Sequence, residues 1–593
     1  MKVSDYIAKF LAEQGVEHCF VLTGGCIVHL IDSVANRSDI EYIPMHHEQS
    51  CAMAADAYAR ITGNIGIALA TSGPGATNLL TGTCCSYYDS IPVITITGQV
   101  PTNQLKRQSK SRQIGFQETD VVSIFKPITK YATLIDDPSL IRYELEKAFY
   151  LAREGRPGPV LLDICDDVQR AEINPAQLRS FTAGETYDIH FQRHEKEIGF
   201  IFELINQSAR PVFIFGGGVR SSGATSEVAT VVEKLNIPFT LTWGAMDVVA
   251  HDHPLYTGGF GVTSGRPGNF AVQNADLIIA IGTRLDTHEV GSNIGTFARA
   301  ARKIIIDIDP AEQVKYEAMG MSADVLLTVD AKEFIKTLID RSGLLLNAPS
   351  RRNWHETISN WKHAYPICLE EYKRQPHLVN PYVFVEKLAK LCDENAIIIT
   401  DCGSNLIWTM QAFKIRTGQR LISAFNHSPM GYSLPASIGA SISKSDNQIV
   451  CIIGDGGLQV NVQELGVIHR NKLNIKIFVL NNHCHGIIQG TQDNWLGGRH
   501  HASCPSTGKL PDCNVDAISE AYGLKSLSIN TNAQLEAVLS EILMTPEGFV
   551  CNVHLSDGAQ IFPKLLYGRP IEDSHPLLPR DEFHRNMIVA PIT

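Results

Sequence analysis

Asp455 and Asn482 are the two residues of this 593-residue chain whose types and spacing most directly suggest chemistry. Asp455 sits in Gly454-Asp455-Gly456-Gly457, directly after the apolar run 449–453. Asn482 follows Asn481 at the end of a second apolar run, 475–480. Both runs are short and β-branched enough to read as buried strands. A helical pattern lies between them, with Val462, Leu465 and Ile468 inward. A right-handed strand–helix–strand crossover makes the strands parallel. Both polar residues then stand at carboxyl ends of the sheet, the edge along which open α/β sheets bind ligands. A carboxylate and an amide carbonyl are hard oxygen donors. With one backbone carbonyl they suit Mg²⁺ or Ca²⁺ and leave room for phosphate oxygens. An ordinary βαβ unit with a polar turn is the plainer reading of a bare Gly-Asp-Gly.

Elements able to hold such a site recur along the chain. In residues 1–172, apolar runs at 16–22, 65–70 and 91–96 end in Thr23-Gly24-Gly25, Thr71-Ser72-Gly73-Pro74-Gly75 and Thr97-Gly98-Gln99. A parallel sheet with its loops at one edge requires such endings. Between the first two runs, Glu48 precedes an Ala/Met pattern of helical spacing and reads most simply as a first-turn acid favoured by the helix dipole. A second unit, 190–342, has runs at 212–215, 277–281 and 303–308 that lead into Gly216-Gly217-Gly218, Gly282-Thr283-Arg284 and Asp309-Pro310. Glycines after a strand let a phosphate approach backbone N–H groups. The third unit, 378–560, carries Asp401 after the run 396–399, then Met430-Gly431, then the strand–helix–strand of Asp455 and Asn482. Polar stretches at about 170–190 and 342–378 read as linkers, and 561–593 as a tail. The expected fold is α/β, with three doubly wound parallel-sheet domains.

Composition narrows the partners. Net charge is −11, acids and bases are interspersed, and no basic tract points to nucleic acid or an anionic membrane. No apolar run reaches the length of a membrane span. Fourteen cysteines at irregular spacing contain no CxxC pair and read as reduced thiols. Residues 1–16 form an amphipathic helix with acids, unlike a signal peptide. A soluble, cytoplasmic protein is expected.

The spacing Gly-Asp-Gly, 24 residues, Asn-Asn resembles the thiamine diphosphate motif. The resemblance implies that Asp455, Asn482 and the main-chain oxygen of Cys484 hold Mg²⁺ on the diphosphate, beside Gly454, Gly456, Gly457 and Ile487. The segment HHEQSCAMAADAYAR resembles that of the pyrimidine-binding domain of these enzymes. There Glu48 would bond N1′ of the aminopyrimidine from a largely apolar pocket, where a carboxyl can share a proton with the ring. Gly24-Gly25, Gly115-Phe116-Gln117-Glu118-Thr119-Asp120 and Met430-Gly431-Tyr432-Ser433-Leu434-Pro435 resemble segments of the acetohydroxyacid (acetolactate) synthases. By that resemblance Gly25 and Gly431 border the cofactor, Met430 wedges between its rings, and Phe116 and Gln117 face the site across a subunit interface. Gly217, Gly218 and Arg284 fall where that family carries a non-redox FAD. The family's GxRFDDR is here Gly282-Thr283-Arg284-Leu285-Asp286-Thr287-His288, without the second Arg.

Other departures concern the substrate. Asp166 stands where the family usually has Lys. Thr491, followed by Gln492, stands where a Trp usually narrows the acceptor pocket, and that exchange opens volume which packing would not leave empty. In these features the chain looks like the acetolactate synthase-like carboligases of branched-chain sugar biosynthesis. The implied function is decarboxylation of a 2-oxo acid such as pyruvate and transfer of the two-carbon unit to a second carbonyl. That acceptor is pyruvate or a bulky ketone such as a keto-deoxysugar nucleotide. A pyruvate oxidase-type flavoenzyme is the alternative. A homodimer or homotetramer is implied, because in this family the cofactor spans two subunits.

Overall fold

The computed structural model describes residues 1–183, 194–345, 349–444 and 446–592. Residues 184–193, which include the end of the first expected linker and the start of the second expected unit, lie outside the described residues; so do 346–348 of the second linker.

Three sheets, all parallel, carry the chain. The first holds β1 (His18–Val21), β2 (Glu41–Pro44), β3 (Gly66–Ala70), β4 (Val93–Gln99), β5 (Tyr131–Ile135) and β6 (Val160–Cys165), in the order β2-β1-β3-β4-β6-β5. The second holds β7 (Pro211–Phe215), β8 (Phe239–Leu241), β9 (Leu277–Ile281), β10 (Arg302–Asp307) and β11 (Val325–Thr328), in the order β11-β10-β9-β7-β8. The third holds β12 (Ile397–Thr400), β13 (Arg420–Ile422), β14 (Ile449–Gly454), β15 (Ile475–Asn481), β16 (Lys525–Ile529) and β17 (Phe549–His554), in the order β13-β12-β14-β15-β17-β16. Strand for strand, the third repeats the order of the first. Interior strands such as β9 and β15 are buried at every position, as helices on both faces of a parallel sheet require.

In each sheet the order reverses between the first and third strands: β1 beside β3, β7 beside β9, β12 beside β14. Loops leaving such a pair part in opposite directions and open a crevice. The segments 22–25 and 71–75, 216–218 and 282–284, and 401–403 and 454–457 lie at these three crevices.

The first and third sheets share a core through two helices, Glu48–Thr62 and Ser433–Ser443. Gly439 makes the approach possible, since a Cβ there would fall 2.1 Å from the Ala54 carbonyl oxygen. Buried Asp56 ties the pair, accepting from Arg60 (2.6 Å), Ser86 (2.9 Å) and the Tyr432 hydroxyl (2.6 Å). The helix expected between β14 and β15 is in three pieces: Asp455–Val460, Val462–Glu464 and Leu465–Arg470. Asn461 breaks it. Its buried amide donates to the Gly431 carbonyl (2.8 Å) and accepts from Ser50 (3.3 Å), contacts a continuous helix could not make. Leu465 and Ile468 still point inward.

The tail runs along the helix Gly486–Leu496, where Tyr567 meets Trp495 edge-on. It then buries Ile571 and Phe583 in the core of the second sheet. All fourteen cysteines are free. Among the described residues no helix is long and apolar enough to cross a membrane.

Candidate functional site

At the crevice of the third sheet, three oxygens converge. The Asn482 side-chain oxygen stands 2.9 Å from the Cys484 carbonyl oxygen and 3.3 Å from Asp455 Oδ1. Three acceptors so placed repel one another. Turning the amide would replace that repulsion with two hydrogen bonds; a divalent cation among the three atoms would instead favour the oxygen-inward orientation. Oxygens held at right angles on Mg²⁺, with bonds of ~2.1 Å, stand about 3 Å apart. Asp455 opens the helix after β14 and Asn482 follows β15, so adjacent strands fix their separation. Burial pushes the Asp455 carboxyl up to about 6, and a bound cation would return it to the ionised form. Among the described residues no cluster of three His, Cys, Asp or Glu side chains offers a metal site. The donor set fits a hard divalent ion.

Around this loop the backbone is held tightly. Gly456 lacks a side chain where one would meet His485 (2.8 Å) and the Met430 methyl (3.1 Å), so Met430 lies across the Gly-Asp-Gly turn. The Met430 segment is pinned by Asp401, a residue to which the sequence analysis assigned no role. Its buried carboxylate accepts from the N–H groups of Cys402 (2.8 Å), Gly431 (3.0 Å) and Ser433 (3.1 Å), and from the Ser433 hydroxyl (3.0 Å). Gly431 takes φ +85°, and a Cβ at Gly457 would crowd the Asp401 carboxylate at 3.2 Å. Asp401 directly follows β12 as Asp455 directly follows β14, which was the available signal.

Glu48 is buried and opens its helix, whose N-cap is the His47 side chain accepting from Gln49 N–H. Asn78, also unassigned from sequence, donates to Glu48 Oε2 at 2.9 Å. Glu48 Oε1 faces Gly75, where a Cβ would come within 3.3 Å. Within one chain, Glu48 shares no hydrogen bond with Asp455 or Asn482 among the described residues. Phe116 is 84% exposed. Gln117 (φ +64°) presses its backbone on Gly73, and the loop is tied by Glu118 accepting from Ile114 N–H (2.8 Å). Gly25 is in open space.

The crevice of the second sheet leads into a cavity of about 960 Å³, large even for a ligand site. Gly217, Gly218 and Arg284 line it, and so does Ile487, so it reaches the helix that follows Asn482 and Cys484. A Cβ on Gly218 would fall 2.7 Å from Gly282 Cα. Arg220 Nε and Arg284 Nε, on arginines that line the cavity, are buried without a hydrogen-bond partner. Trp243 and His288 are tilted against each other at 4.1 Å, and His288 occupies the place of the family's second Arg. Arg220 is paired with Asp247 at 2.7 Å and Arg284 with Glu312 at 3.4 Å, so the room and the glycine cradle are what fit a dinucleotide.

On the helix Gly486–Leu496, Thr491 is exposed and bonds only back to Ile487 O (3.2 Å). Gln492 turns inward instead: its amide donates to His501 O (2.7 Å) and accepts from Ser503 (2.6 Å). It ties its helix to the 500–504 loop. The Asp166 charge is met by Arg170 at 3.0 Å and His29 at 3.6 Å.

Three family profiles match, one on each sheet. They are described as the thiamine pyrophosphate enzyme N-terminal TPP binding domain (residues 1–124), central domain (198–338) and C-terminal TPP binding domain (401–553). Thiamine pyrophosphate is the thiamine diphosphate named above. A probable acetolactate synthase large subunit of Methanocaldococcus jannaschii is 34% identical over 573 residues, 95% of this chain and 93% of the relative. The acetolactate synthase isozyme 1 large subunit of Escherichia coli is 32% identical over 568 residues, 94% and 95%. A probable large subunit of Methanococcus aeolicus is 33% identical over 569 residues, 93% and 91%.

Proposed function

The chain belongs to the thiamine diphosphate-dependent acetolactate synthase family, and on that premise we propose that it decarboxylates pyruvate and transfers the two-carbon unit to a second carbonyl. The convergence of Asp455, Asn482 and the Cys484 carbonyl carries this reading. When bound, the thiamine ring supplies the nucleophilic carbon and the electron sink for loss of CO₂. The protein's part is placement. The three oxygens hold Mg²⁺ on the diphosphate, Asp401 fixes the turn that presents Met430 against the rings, and Glu48 holds a proton at the pyrimidine nitrogen. A second copy of the chain brings its Glu48, Phe116 and Gln117 to this loop, which makes a dimer the smallest working unit. Residues 1–172 serve the pyrimidine, 378–560 the diphosphate, and 190–342 an FAD in the large cavity at the crevice of the second sheet. Four half-buried and ten buried thiols, none paired, support a reducing compartment, the cytoplasm.

The relatives do not favour the flavin-oxidase alternative. For the acceptor, exposed Thr491 in the place of a Trp supports a ketone larger than pyruvate, and a keto-deoxysugar nucleotide is the proposed class. Mass spectrometry of products from pyruvate, with and without such ketones, tests the whole reading. A two-carbon adduct of the larger ketone is expected; acetolactate alone at full rate removes the large acceptor, and no CO₂ release removes the carboligase.

A further inference from the structure

The tail brings a cation to the helix that carries Thr491. That helix, Gly486–Leu496, begins two residues after Cys484. At Gly490, one turn along, there is no side chain, and the Lys564 ammonium occupies the notch: a Cβ at 490 would lie 3.4 Å from Nζ. Lys564 is fixed there by its backbone. Its N–H donates to His575 O (3.0 Å) and it accepts from His575 N–H (2.7 Å). The next residue, Leu565, donates to Val262 O (2.7 Å), and Val262 donates to the carbonyl of His288 (2.8 Å), on the wall of the large cavity.

The charge has no contacting counterpart. Among the described residues no carboxylate lies within ion-pair distance of Lys564, and its one side-chain hydrogen bond is to neutral Gln560 Oε1 at 3.3 Å. The Phe562 ring lies 5.8 Å away. Asp493, one turn beyond Gly490, is the acid that acts on it, and that carboxylate is taken by His500 at 2.7 Å. Nearby Arg266 spends its guanidinium on the carbonyls of Ser574 (3.1 Å) and Pro576. Burial pulls Lys564 and His575 down, and for His575 the neighbouring Lys564 and Arg266 add to the effect. Lys564 and Arg266 thus come close together, and no carboxylate contacts Lys564; Asp493, bonded to His500, acts on it only at a distance. A half-buried ammonium with only neutral partners is left under-compensated until an anion joins it.

We infer that Lys564 receives the anionic group of the carbonyl acceptor, either the carboxylate of a 2-oxo acid or a phosphate on a larger ketone, as the acceptor enters beside Thr491. The inference rests on the carboligase reading above. Lys564 makes and breaks no bond; it orients the acceptor, and a compact ammonium on a flexible stem can meet either anion.

The test uses the full chain saturated with thiamine diphosphate and Mg²⁺, in the forms Lys564→Met and Lys564→Arg. Ferricyanide-coupled CO₂ release from pyruvate reports the donor half alone. Carboligation with pyruvate, dihydroxyacetone phosphate and neutral butanone as acceptors gives the acceptor KM. Lys564→Met is expected to raise the KM of an anionic acceptor about ten- to a hundredfold, the size of a lost charged hydrogen bond. CO₂ release and the KM for butanone stay unchanged, and Lys564→Arg recovers most of the loss. Whichever anionic acceptor loses more identifies the group. An unchanged KM for both anions with CO₂ release intact overturns the inference and leaves the carboligase standing, as does a raised thiamine diphosphate requirement, which would assign the charge to the cofactor. No CO₂ release by the unmodified chain overturns the carboligase itself, and the inference with it.

Discussion

The Asn78 amide holds Glu48 by a 2.9 Å hydrogen bond to Oε2, while Oε1 faces the bare backbone of Gly75. One carboxylate oxygen is thereby fixed and the other left open for a ring nitrogen. Glu48→Gln keeps the shape and removes the acid, so kcat should fall by about 10²–10⁴, with thiamine diphosphate affinity little changed. Steady-state CO₂ release beside a binding titration checks this. Full activity in the variant would mean that some other group activates the pyrimidine.

The second prediction concerns the metal. The Asn482 amide lies 3.3 Å from Asp455 Oδ1, so a divalent ion bound there would draw both oxygens inward. Chelation by EDTA should abolish the rise in thermal midpoint that thiamine diphosphate gives, and added Mg²⁺ should restore it. Asp455→Ala should show no rise even at millimolar Mg²⁺. A cofactor-induced shift that persists in EDTA would contradict the assignment.

Asp163 supplies a pH test away from the site. It is buried in β6 and accepts from Thr97 (2.7 Å) and Gln99 (2.8 Å). Burial pushes it up from 3.8 to about 7. The folded chain therefore binds one more proton than the unfolded chain between about pH 4 and 7. The stabilisation this gives is complete below pH 4 and is lost as pH rises through 7. Asp163→Asn removes the titration, so it should be more stable than the parent at pH 8, by on the order of 4 kcal/mol, and little different at pH 4. Thermal midpoints across that range decide it.

The cavity makes a fourth. Gly218→Val would drive a side chain into Gly282 Cα, 2.7 Å from a Cβ, and shift both loops of the crevice. Overpacking of this kind costs about 1–3 kcal/mol. The purified parent should carry flavin absorbance near stoichiometry, and the variant should lose it while keeping its far-ultraviolet circular dichroism. A parent free of flavin after reconstitution with excess FAD would leave the cavity to another ligand.

What could be read from sequence divides by burial. Interior strands β3, β4, β9, β14 and β15 are apolar on both faces and were legible as runs. Edge strands were not: β2 has one buried residue in four and β16 one in five, so periodicity carried little signal. β17 is interior and buried at five of six positions, but Asn552 interrupts its apolar run, of which only the part around Cys551 was legible. At the site, Asp455 and Asn482 stood out by spacing, and Glu48 only by the resemblance of its segment. Asp401, Asn78 and Asn461 did not, because each acts by bonding backbone or side chains far away in sequence. Gln492 shows the converse: it follows Thr491 directly, yet a helix turns adjacent residues through about 100°, so one faces out and the other in.

That difference makes Thr491 the position at which the acceptor can be tested. It is exposed, and its hydroxyl is spent on the carbonyl of Ile487 one turn back, so replacing it should cost the fold little. Thr491→Trp adds a large flat side chain to the outward face shared with Ile487, whose side chain lines the cavity. The space left beside the thiamine ring shrinks, and a small 2-oxo acid still fits where a large ketone does not. CO₂ release should be unchanged, because the donor reacts before the acceptor enters. Acetolactate should become the dominant product, with the adduct of a large ketone down at least tenfold, or ~1.4 kcal/mol in transition-state discrimination. Competition between pyruvate and the ketone in one reaction, read by mass spectrometry, gives the ratio directly. Equal ratios in parent and variant would move the acceptor away from Thr491, toward the wall formed by Trp243 and His288.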